Sequence, residues 1–212
     1  MKRALLSLLR CPQCAGNFRL EESKGDEQEV EEGTLRCENC ESENQIRNFI
    51  PRFIDGENYA AGFGFQWNRH AQTQLDKFNG TKITTERFFE GTQWKPDEVK
   101  GMNVLEAGRF TDVMLAAGMQ VYSLDYSNAV DACLVNHGLH PNLNIVQGDM
   151  CKVPYAKQSF DRVFCFGVLQ HTPDVRKSFF SLTELVRPGG SIAVDVYPNT
   201  LKARLHYPRY LL

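Results

Sequence analysis

The chain has 212 residues, of which 42% are hydrophobic, and it carries a net charge of −2 with a pI of about 6.2. This length predicts one core domain and one small additional module, and the near-neutral charge excludes a general basic field that would attract nucleic acid. No stretch contains the roughly 18 to 20 consecutive apolar residues that a membrane span requires.

Four of the seven cysteines stand in two closely spaced pairs near the N-terminus. Cys11 and Cys14, and then Cys37 and Cys40, form two C-x2-C motifs separated by 22 residues. Two such turns present four thiolates to one tetrahedral ion, which is typical of a structural zinc ribbon, here expected over residues 1–55. A redox dithiol is the alternative. The spacing and the odd number of cysteines favour reduced thiols and a cytoplasmic location over a disulfide framework.

Acidic residues dominate one segment of this predicted ribbon. The sequence EESKGDEQEVEEG, residues 21–33, contains seven acids and one lysine, so we expect a solvated hairpin tip. Such a tip would repel a phosphate backbone, which argues against RNA binding by the ribbon.

Residues 56–100 are rich in glycine and aromatic side chains and are predicted to connect the ribbon to the core. We expect the aromatic side chains to pack against the following domain; the alternative is a helical lid over a pocket. They are Phe63, Phe65, Trp67, Phe78, Phe88, Phe89 and Trp94.

From Gly101 onward, apolar strand-like segments alternate with helical ones. Strands are predicted at 102–107, 120–127, 143–150, 160–169 and 190–198, the last following a turn at Pro188-Gly189-Gly190. Helices are predicted at 111–118, 128–138 and 174–186. This alternation predicts an α/β core over residues 101–212, with a doubly wound, mostly parallel sheet covered on both faces. Cys133, Cys151 and Cys165 are interpreted as small core residues.

Acidic residues follow three successive predicted strands. Glu106, Asp125 and Asp149 stand at the carboxyl ends of the first, second and third strands, where an open parallel sheet binds its ligand. A carboxylate such as Asp125 can accept both hydroxyls of a ribose, and Asp149 can accept an exocyclic amine. Each acid could instead cap the next helix. Together they indicate an adenosine-type ligand.

Four segments resemble the successive motifs of class I S-adenosylmethionine-dependent methyltransferases. They are VLEAG (104–108), VYSLDYS (121–127), the stretch from Ile145 to Asp174 and LVRPGGSIAVDVY (185–197). The resemblance implies that Glu106 and Gly108 face the methionine part of the cofactor, that Asp125 binds the ribose and that Asp149 binds the adenine. It further implies packing of Tyr126 and Met150 on the adenine ring, and cofactor contacts from Ala107 and Gly167. The cysteine module is similar to the zinc ribbon that precedes some methyltransferases.

Two departures from the family pattern stand out. The family's first turn contains several glycines, whereas here Gly108 leads directly into Arg109, Phe110 and a predicted helix. About four residues and two glycines are absent, so we expect an impaired cofactor cradle on an intact fold. We also expect a core without the family's last two strands.

Three functions are compatible with these features. The first is methyl transfer to a small-molecule or sugar-linked acceptor, with His171, which follows the fourth strand, as the candidate base or acceptor contact. The second is methylation of an RNA base. The third is a non-catalytic binding or scaffold role for a degenerate methyltransferase fold, which the shortened turn favours.

Overall fold

The computed structural model describes residues 1–54, 69 and 75–196. In this part of the chain, nine strands form one sheet in the order β1-β2-β3-β4-β7-β6-β5-β8-β9. No helix among these residues is long and apolar enough to cross a membrane. Residues 56–68 and 70–74 of the predicted connector, which include Phe63, Phe65 and Trp67, lie outside the described residues. So does everything after residue 196, on which the expectation about the last two strands depends.

The N-terminal part is a four-stranded antiparallel meander. After a 3-10 helix at Arg3–Ser7 come β1 (Phe18–Gly25), β2 (Val30–Cys37), β3 (Glu43–Arg47) and β4 (Ile50–Arg52). Strand β2 buries Val30, Leu35 and Cys37. The acidic segment predicted as a solvated tip forms the second part of β1, the following turn and the start of β2. Its β1 residues, from Glu21 to Gly25, are exposed.

The C-terminal part is the predicted doubly wound α/β core. Its strands are β5 (Asn103–Ala107), β6 (Gln120–Asp125), β7 (Leu143–Gln147), β8 (Phe160–Cys165) and β9 (Val186–Val194), and all their pairings are parallel. Three helices within residues 75–100 precede this core: α1 (Asp76–Asn79), α2 (Ile83–Thr92) and α3 (Pro96–Val99). Three more connect its strands: α4 (Thr111–Ala116), α5 (Ala129–His137) and α6 (Val175–Thr183).

The chain leaves β5 in one direction to form β6 and β7, and later returns to the other side of β5 to form β8 and β9. The switch point of this sheet therefore lies between the carboxyl ends of β5 and β8, which is where open α/β sheets bind ligands.

The predicted turn before the last strand is part of that strand. β9 begins at Val186, paired with Phe160, and the pairing resumes at Ser191 opposite Arg162. The residues between them bulge out of the ladder, with Gly189 at φ 79°. A bulge of this kind needs the conformational freedom of glycine, as a turn does. The Pro-Gly-Gly sequence therefore fits both structures, and it was predicted as a turn.

The two parts of the chain share one sheet and one hydrophobic core. Strand β4 pairs in parallel with β7 through Arg52 and Gln147, so the ribbon extends the core sheet at its edge. In addition, Leu9, Phe18 and Leu35 lie in the same buried cluster as Tyr155 and Phe160. The division at residue 55 stays a prediction from composition.

A second buried cluster anchors the described end of the connector. The Phe88 ring on α2 lies 5.1 Å from the ring of Phe164 and 5.7 Å from that of Trp94. Phe88 and Trp94 are buried as expected, whereas Phe78 is 51% exposed. Packing against the core therefore holds for Phe88, Phe89 and Trp94, while the Phe78 side chain is about half exposed.

Candidate functional site

The carboxyl ends of β5, β6, β7 and β8 form one continuous rim. The Gly148 N–H donates to the Asp125 carbonyl at 2.9 Å, which joins the ends of β6 and β7. At the switch point, a Cβ on Gly108 would lie 3.5 Å from the Phe166 carbonyl oxygen. The predicted positions 106–108, 125–126, 149–150 and 167 thus meet at the same edge of the sheet.

Glu106 is fully buried and its carboxylate points toward the start of α4. Oε1 accepts the backbone N–H of Phe110 at 3.0 Å. Oε2 accepts the hydroxyls of Thr111 and Ser123, both at 2.9 Å. Burial raises the pKa of Glu106, and these three hydrogen bonds oppose the rise. The carboxylate therefore fixes the first turn of α4, and its assignment to the methionine part of the cofactor stays a prediction.

Phe110 fills the interior behind the shortened turn. Its side chain is 1% exposed, and its ring lies 4.9 Å from Phe164 and 6.1 Å from Phe166. The three residues Gly108, Arg109 and Phe110 are enough to join β5 to α4, as the sequence predicted for the fold. At this turn the aromatic side chain two residues after Gly108 packs into the core.

Asp125 ends β6 with one carboxylate oxygen engaged. Oδ1 accepts the backbone N–H of Ser127 at 2.7 Å and its hydroxyl at 2.8 Å. Within the described residues Oδ2 makes no hydrogen bond, so it can receive a ligand hydroxyl. Burial raises the pKa of Asp125, and the bonds from Ser127 oppose that rise.

Asp149, Tyr126 and Met150 surround the end of β7. Asp149 Oδ1 accepts the Cys151 N–H at 2.7 Å in a tight turn. Burial raises the pKa of Tyr126, and the nearby Asp149 and Cys151 contribute. Met150 is 8% exposed and its sulfur lies 4.0 Å from Cys165 Sγ, so its side chain packs inward. Packing of Met150 on an adenine ring stays a prediction.

Gly167 is held by a residue that the sequence analysis missed. Its backbone N–H donates to Asp195 Oδ1, and Asp195 Oδ2 pairs with Arg87 on α2 at 2.8 Å. Asp195 directly follows the strand β9, so the rule that singled out the other strand ends would have found it. Arg87 gives no such signal, because α2 precedes the alternating region.

His171 ends a 3-10 helix at Leu169–His171 beyond β8. Its side chain is exposed, and its backbone N–H donates to the Val168 carbonyl at 2.9 Å. It lies on the loop that follows Gly167, as expected, and its catalytic role stays a prediction.

Comparison with known proteins decides the family of the core. Residues 106–194 match the family described as "Methyltransferase domain". These residues are a methyltransferase domain. The strand order and the parallel pairing agree with this assignment, which confirms the resemblance found in the sequence.

Curated relatives of the methyltransferase domain act on small molecules according to their names. Demethylmenaquinone methyltransferase of Renibacterium salmoninarum is 27% identical over 120 residues, covering 54% of this chain and 50% of the relative. Ubiquinone biosynthesis O-methyltransferase of Coxiella burnetii is 26% identical over 114 residues, covering 51% and 49%. The chain thus spans about half the length of the curated relatives it matches.

A solved structure supports the fold over a longer range. A candidate S-adenosyl-L-methionine-dependent methyltransferase of Methanococcus maripaludis superposes with a TM-score of 0.52 at 14% identity, covering 75% of this chain and 74% of that one. At this identity the likeness concerns the fold alone.

A cavity of about 640 Å³ opens beside the switch point of the methyltransferase domain. Its apolar lining comes from Ile83, Phe166 and Val194, and the Arg87–Asp195 ion pair lies on its wall together with Glu86, Glu90 and Gly91. The Arg87 guanidinium stands 6.0 Å from the Phe166 ring centroid. The cavity therefore combines an aromatic surface with charged groups.

The four N-terminal cysteines lie together in the ribbon. All four Sγ atoms lie within 4.8 Å of one another, with Cys14 and Cys37 3.4 Å apart and Cys11 and Cys40 3.6 Å apart. Four sulfurs at about 2.3 Å from a tetrahedral Zn²⁺ would be about 3.8 Å apart, so the donor set fits a zinc ion.

The two cysteine turns also repeat one backbone pattern. The N–H of Cys11 donates to Gly16 O and that of Cys37 to Ser42 O, each at 2.9 Å. Ala15 and Glu41 take left-handed conformations at φ 59° and 56°. The repeat explains why the two C-x2-C motifs present their sulfurs to one point.

Proposed function

We propose that this chain transfers a methyl group from S-adenosylmethionine to a small-molecule acceptor. The observation that carries the proposal is the placement of Asp125 and Asp149 on adjoining strand ends of a methyltransferase domain. Oδ2 of Asp125 is available for a ribose hydroxyl, while Ser127 fixes the orientation of the carboxylate. When bound, the sulfonium cofactor supplies an activated methyl group, so the protein mainly has to align the acceptor and exclude water.

The cavity beside Phe166 is the proposed place of the acceptor. Its apolar surface suits a ring or an aliphatic chain, and Asp195 and Arg87 can orient a polar substituent. The quinone-pathway names of the relatives are compatible with such an acceptor. His171, on the loop after Gly167, remains the candidate base, and the Asp195 carboxylate, which accepts the Gly167 N–H, lies on the wall of the cavity.

We further propose that the shortened turn weakens cofactor binding. Phe110 occupies the core behind the turn, and the Glu106 carboxylate already accepts three protein hydrogen bonds. Among the described features, these two give the strongest support to the alternative function, a non-catalytic scaffold. No described feature favours the RNA alternative, and the exposed acids of β1 oppose it.

For the cysteine cluster we propose a structural zinc ion. A shell of four thiolates leaves no open coordination position, so the ion would stabilise the ribbon without taking part in the reaction. Metal binding of this kind requires reduced cysteines, which supports the proposed cytoplasmic location.

Calorimetric titration with S-adenosylhomocysteine, the demethylated product, tests the proposed site. Micromolar binding by the wild type would support the enzyme, and no binding at millimolar ligand would support the scaffold. Asp125→Ala should weaken binding by about tenfold or more because it removes a charge-assisted hydrogen bond. The control variant Asp97→Ala, at an exposed position of α3, should bind as the wild type does.

Insertion of Cys-Gly-Ser-Gly after Gly108 tests the shortened turn separately. We expect the insertion to increase affinity, because it restores backbone freedom where the family has glycines. An unchanged affinity would show that the turn does not limit binding. Transfer of a radiolabelled methyl group to a panel of phenols and quinols then tests the acceptor class.

A further inference from the structure

Arg52 occupies the junction between the ribbon and the methyltransferase domain. It is the last residue of β4, and its side chain is only 7% exposed. The guanidinium lies 2.6 Å from an Asp131 carboxylate oxygen on α5 and donates to Gln147 Oε1 at 3.0 Å. Because a buried charge is stable only when it is paired and hydrogen-bonded, Arg52 depends on both partners.

Gln147 connects this junction to two loops of the rim. It ends β7, immediately before Gly148 and Asp149. Its side-chain Nε2 donates to the Tyr126 carbonyl at 3.3 Å and to Asn128 Oδ1 at 3.1 Å. The side-chain amide of Gln147 therefore contacts the loop that follows Asp125. Gln147 itself belongs to the strand that leads to Asp149.

Asp131, the second partner of Arg52, lies just beyond the C-terminal end of the same loop. Asp131 lies in the first turn of α5, which begins directly after the 126–128 loop. The Phe53 N–H adds a backbone bond to the Gln147 carbonyl at 2.8 Å. The end of the ribbon thus contacts β7 through backbone and side chain, and contacts α5 through an ion pair.

We propose that Arg52 is a positioning residue through which the ribbon sets the two loops that carry Asp125 and Asp149. The ribbon then helps to shape the rim at the carboxyl ends of the strands, where the adenosine part of the cofactor is proposed to bind. It does not serve as a separate docking arm. The identity of the ligand rests on the function proposed above, whereas the mechanical coupling between ribbon and rim does not.

The test compares Arg52→Met with the matched ribbon variant Arg36→Met. Methionine keeps most of the aliphatic length of arginine and removes the guanidinium. Arg36 also pairs with acids, Glu21 and Glu43, but on the exposed surface of the ribbon. Amide hydrogen exchange of the segments 125–131 and 147–151 is the primary measurement, and titration with S-adenosylhomocysteine is the second.

We expect Arg52→Met to accelerate exchange in both segments and to weaken ligand binding by about tenfold. Arg36→Met should change both quantities by less than about twofold, because exposed ion pairs contribute little. Arg52→Lys keeps the charge facing Asp131 and should recover part of the loss. If Arg52→Met does not fold, the double variant Arg52→Met/Asp131→Asn, which leaves no unpaired charge at the junction, takes its place.

Two results would overturn the proposal. One is unchanged exchange in both rim segments of Arg52→Met. The other is acceleration that is equally large in β5 and β8, which would make Arg52 a general stability residue. If the wild type fails to bind S-adenosylhomocysteine, the proposed function fails, while the exchange measurement still decides whether Arg52 positions the rim.

Discussion

Glu106 Oε1 accepts the backbone N–H of Phe110 at 3.0 Å, so the residue next to the end of β5 also holds the residue that precedes α4. This single bond spans the whole shortened turn. It places a fully buried carboxylate between a strand and a helix N-terminus, where the unsatisfied N–H groups of the helix favour an acceptor.

The first prediction concerns the pH dependence of stability through Glu106. Burial raises its pKa above the ordinary value of 4.5, so the folded protein holds this proton more tightly than the unfolded chain does. The stability linked to this proton is fully present below about pH 4.5 and is lost as the pH rises through the higher folded-state pKa. Glu106→Gln, which stays neutral, should lose less of its free energy of unfolding over this range than the wild type.

Urea unfolding at several pH values measures this difference. Asp125 contributes in the same direction, so the variant keeps part of the dependence. The control Glu98→Gln, at an exposed position of α3, should follow the wild-type curve. Parallel curves for Glu106→Gln and the wild type would contradict a raised pKa.

The second prediction concerns the aromatic cluster behind the turn. Phe110→Ala should lower the free energy of unfolding by about 3–5 kcal/mol, because it leaves a cavity among well-packed rings. Phe180→Ala, which truncates a ring that is 53% exposed, should cost about 1 kcal/mol or less. Denaturant unfolding measures both, and equal losses would show that Phe110 is not a core residue.

The third prediction concerns the cysteine cluster. Elemental analysis should find about one zinc per chain, and Cys37→Ser should abolish it. Because Cys11 and Cys37 belong to the same buried cluster as Tyr155 and Phe160, we expect loss of the ion to lower the Tm of the whole chain by about 10 °C.

Cys151→Ser is the control for the metal site. Cys151 lies outside the cluster, with its sulfur 3.1 Å from Ser178 Oγ. This variant should keep its zinc and its Tm. Wild-type protein purified without metal and with the same Tm would rule out a structural ion.

The fourth prediction concerns the link between Gly167 and Asp195. Asp195→Asn keeps an oxygen that can accept the Gly167 N–H but loses the charge that pairs with Arg87, whereas Asp195→Ala loses both interactions. We expect hydrogen exchange of residues 167–171 to increase in the order wild type, Asn, Ala. Because the Arg87–Asp195 pair is partly exposed, Asp195→Asn should cost less than about 1 kcal/mol of stability. Equal exchange in all three proteins would contradict a role of Asp195 in holding this loop.

The sequence by itself determined the local structure and which strand-end residues meet at the rim. Strand and helix periodicity placed β5 to β8 and the helices between them, although α6 ends at Thr183 and β9 begins at Val186, earlier than predicted. Because parallel strands end at the same edge, the positions of Asp125 and Asp149 in sequence were enough to bring them together. The regular spacing of the four cysteines was likewise enough to predict one cluster.

Only the tertiary structure decided which distant groups meet. The pairing of β4 with β7 joins residues 52 and 147, and no local pattern encodes the partner of an edge strand. The inward orientation of Glu106 depends on Ser123, a residue of the neighbouring strand. The bond from Gly167 to Asp195 likewise joins two strand ends that are distant in sequence. Such contacts arise when whole elements pack, because each buried polar group must find a partner among all the groups that packing brings near it.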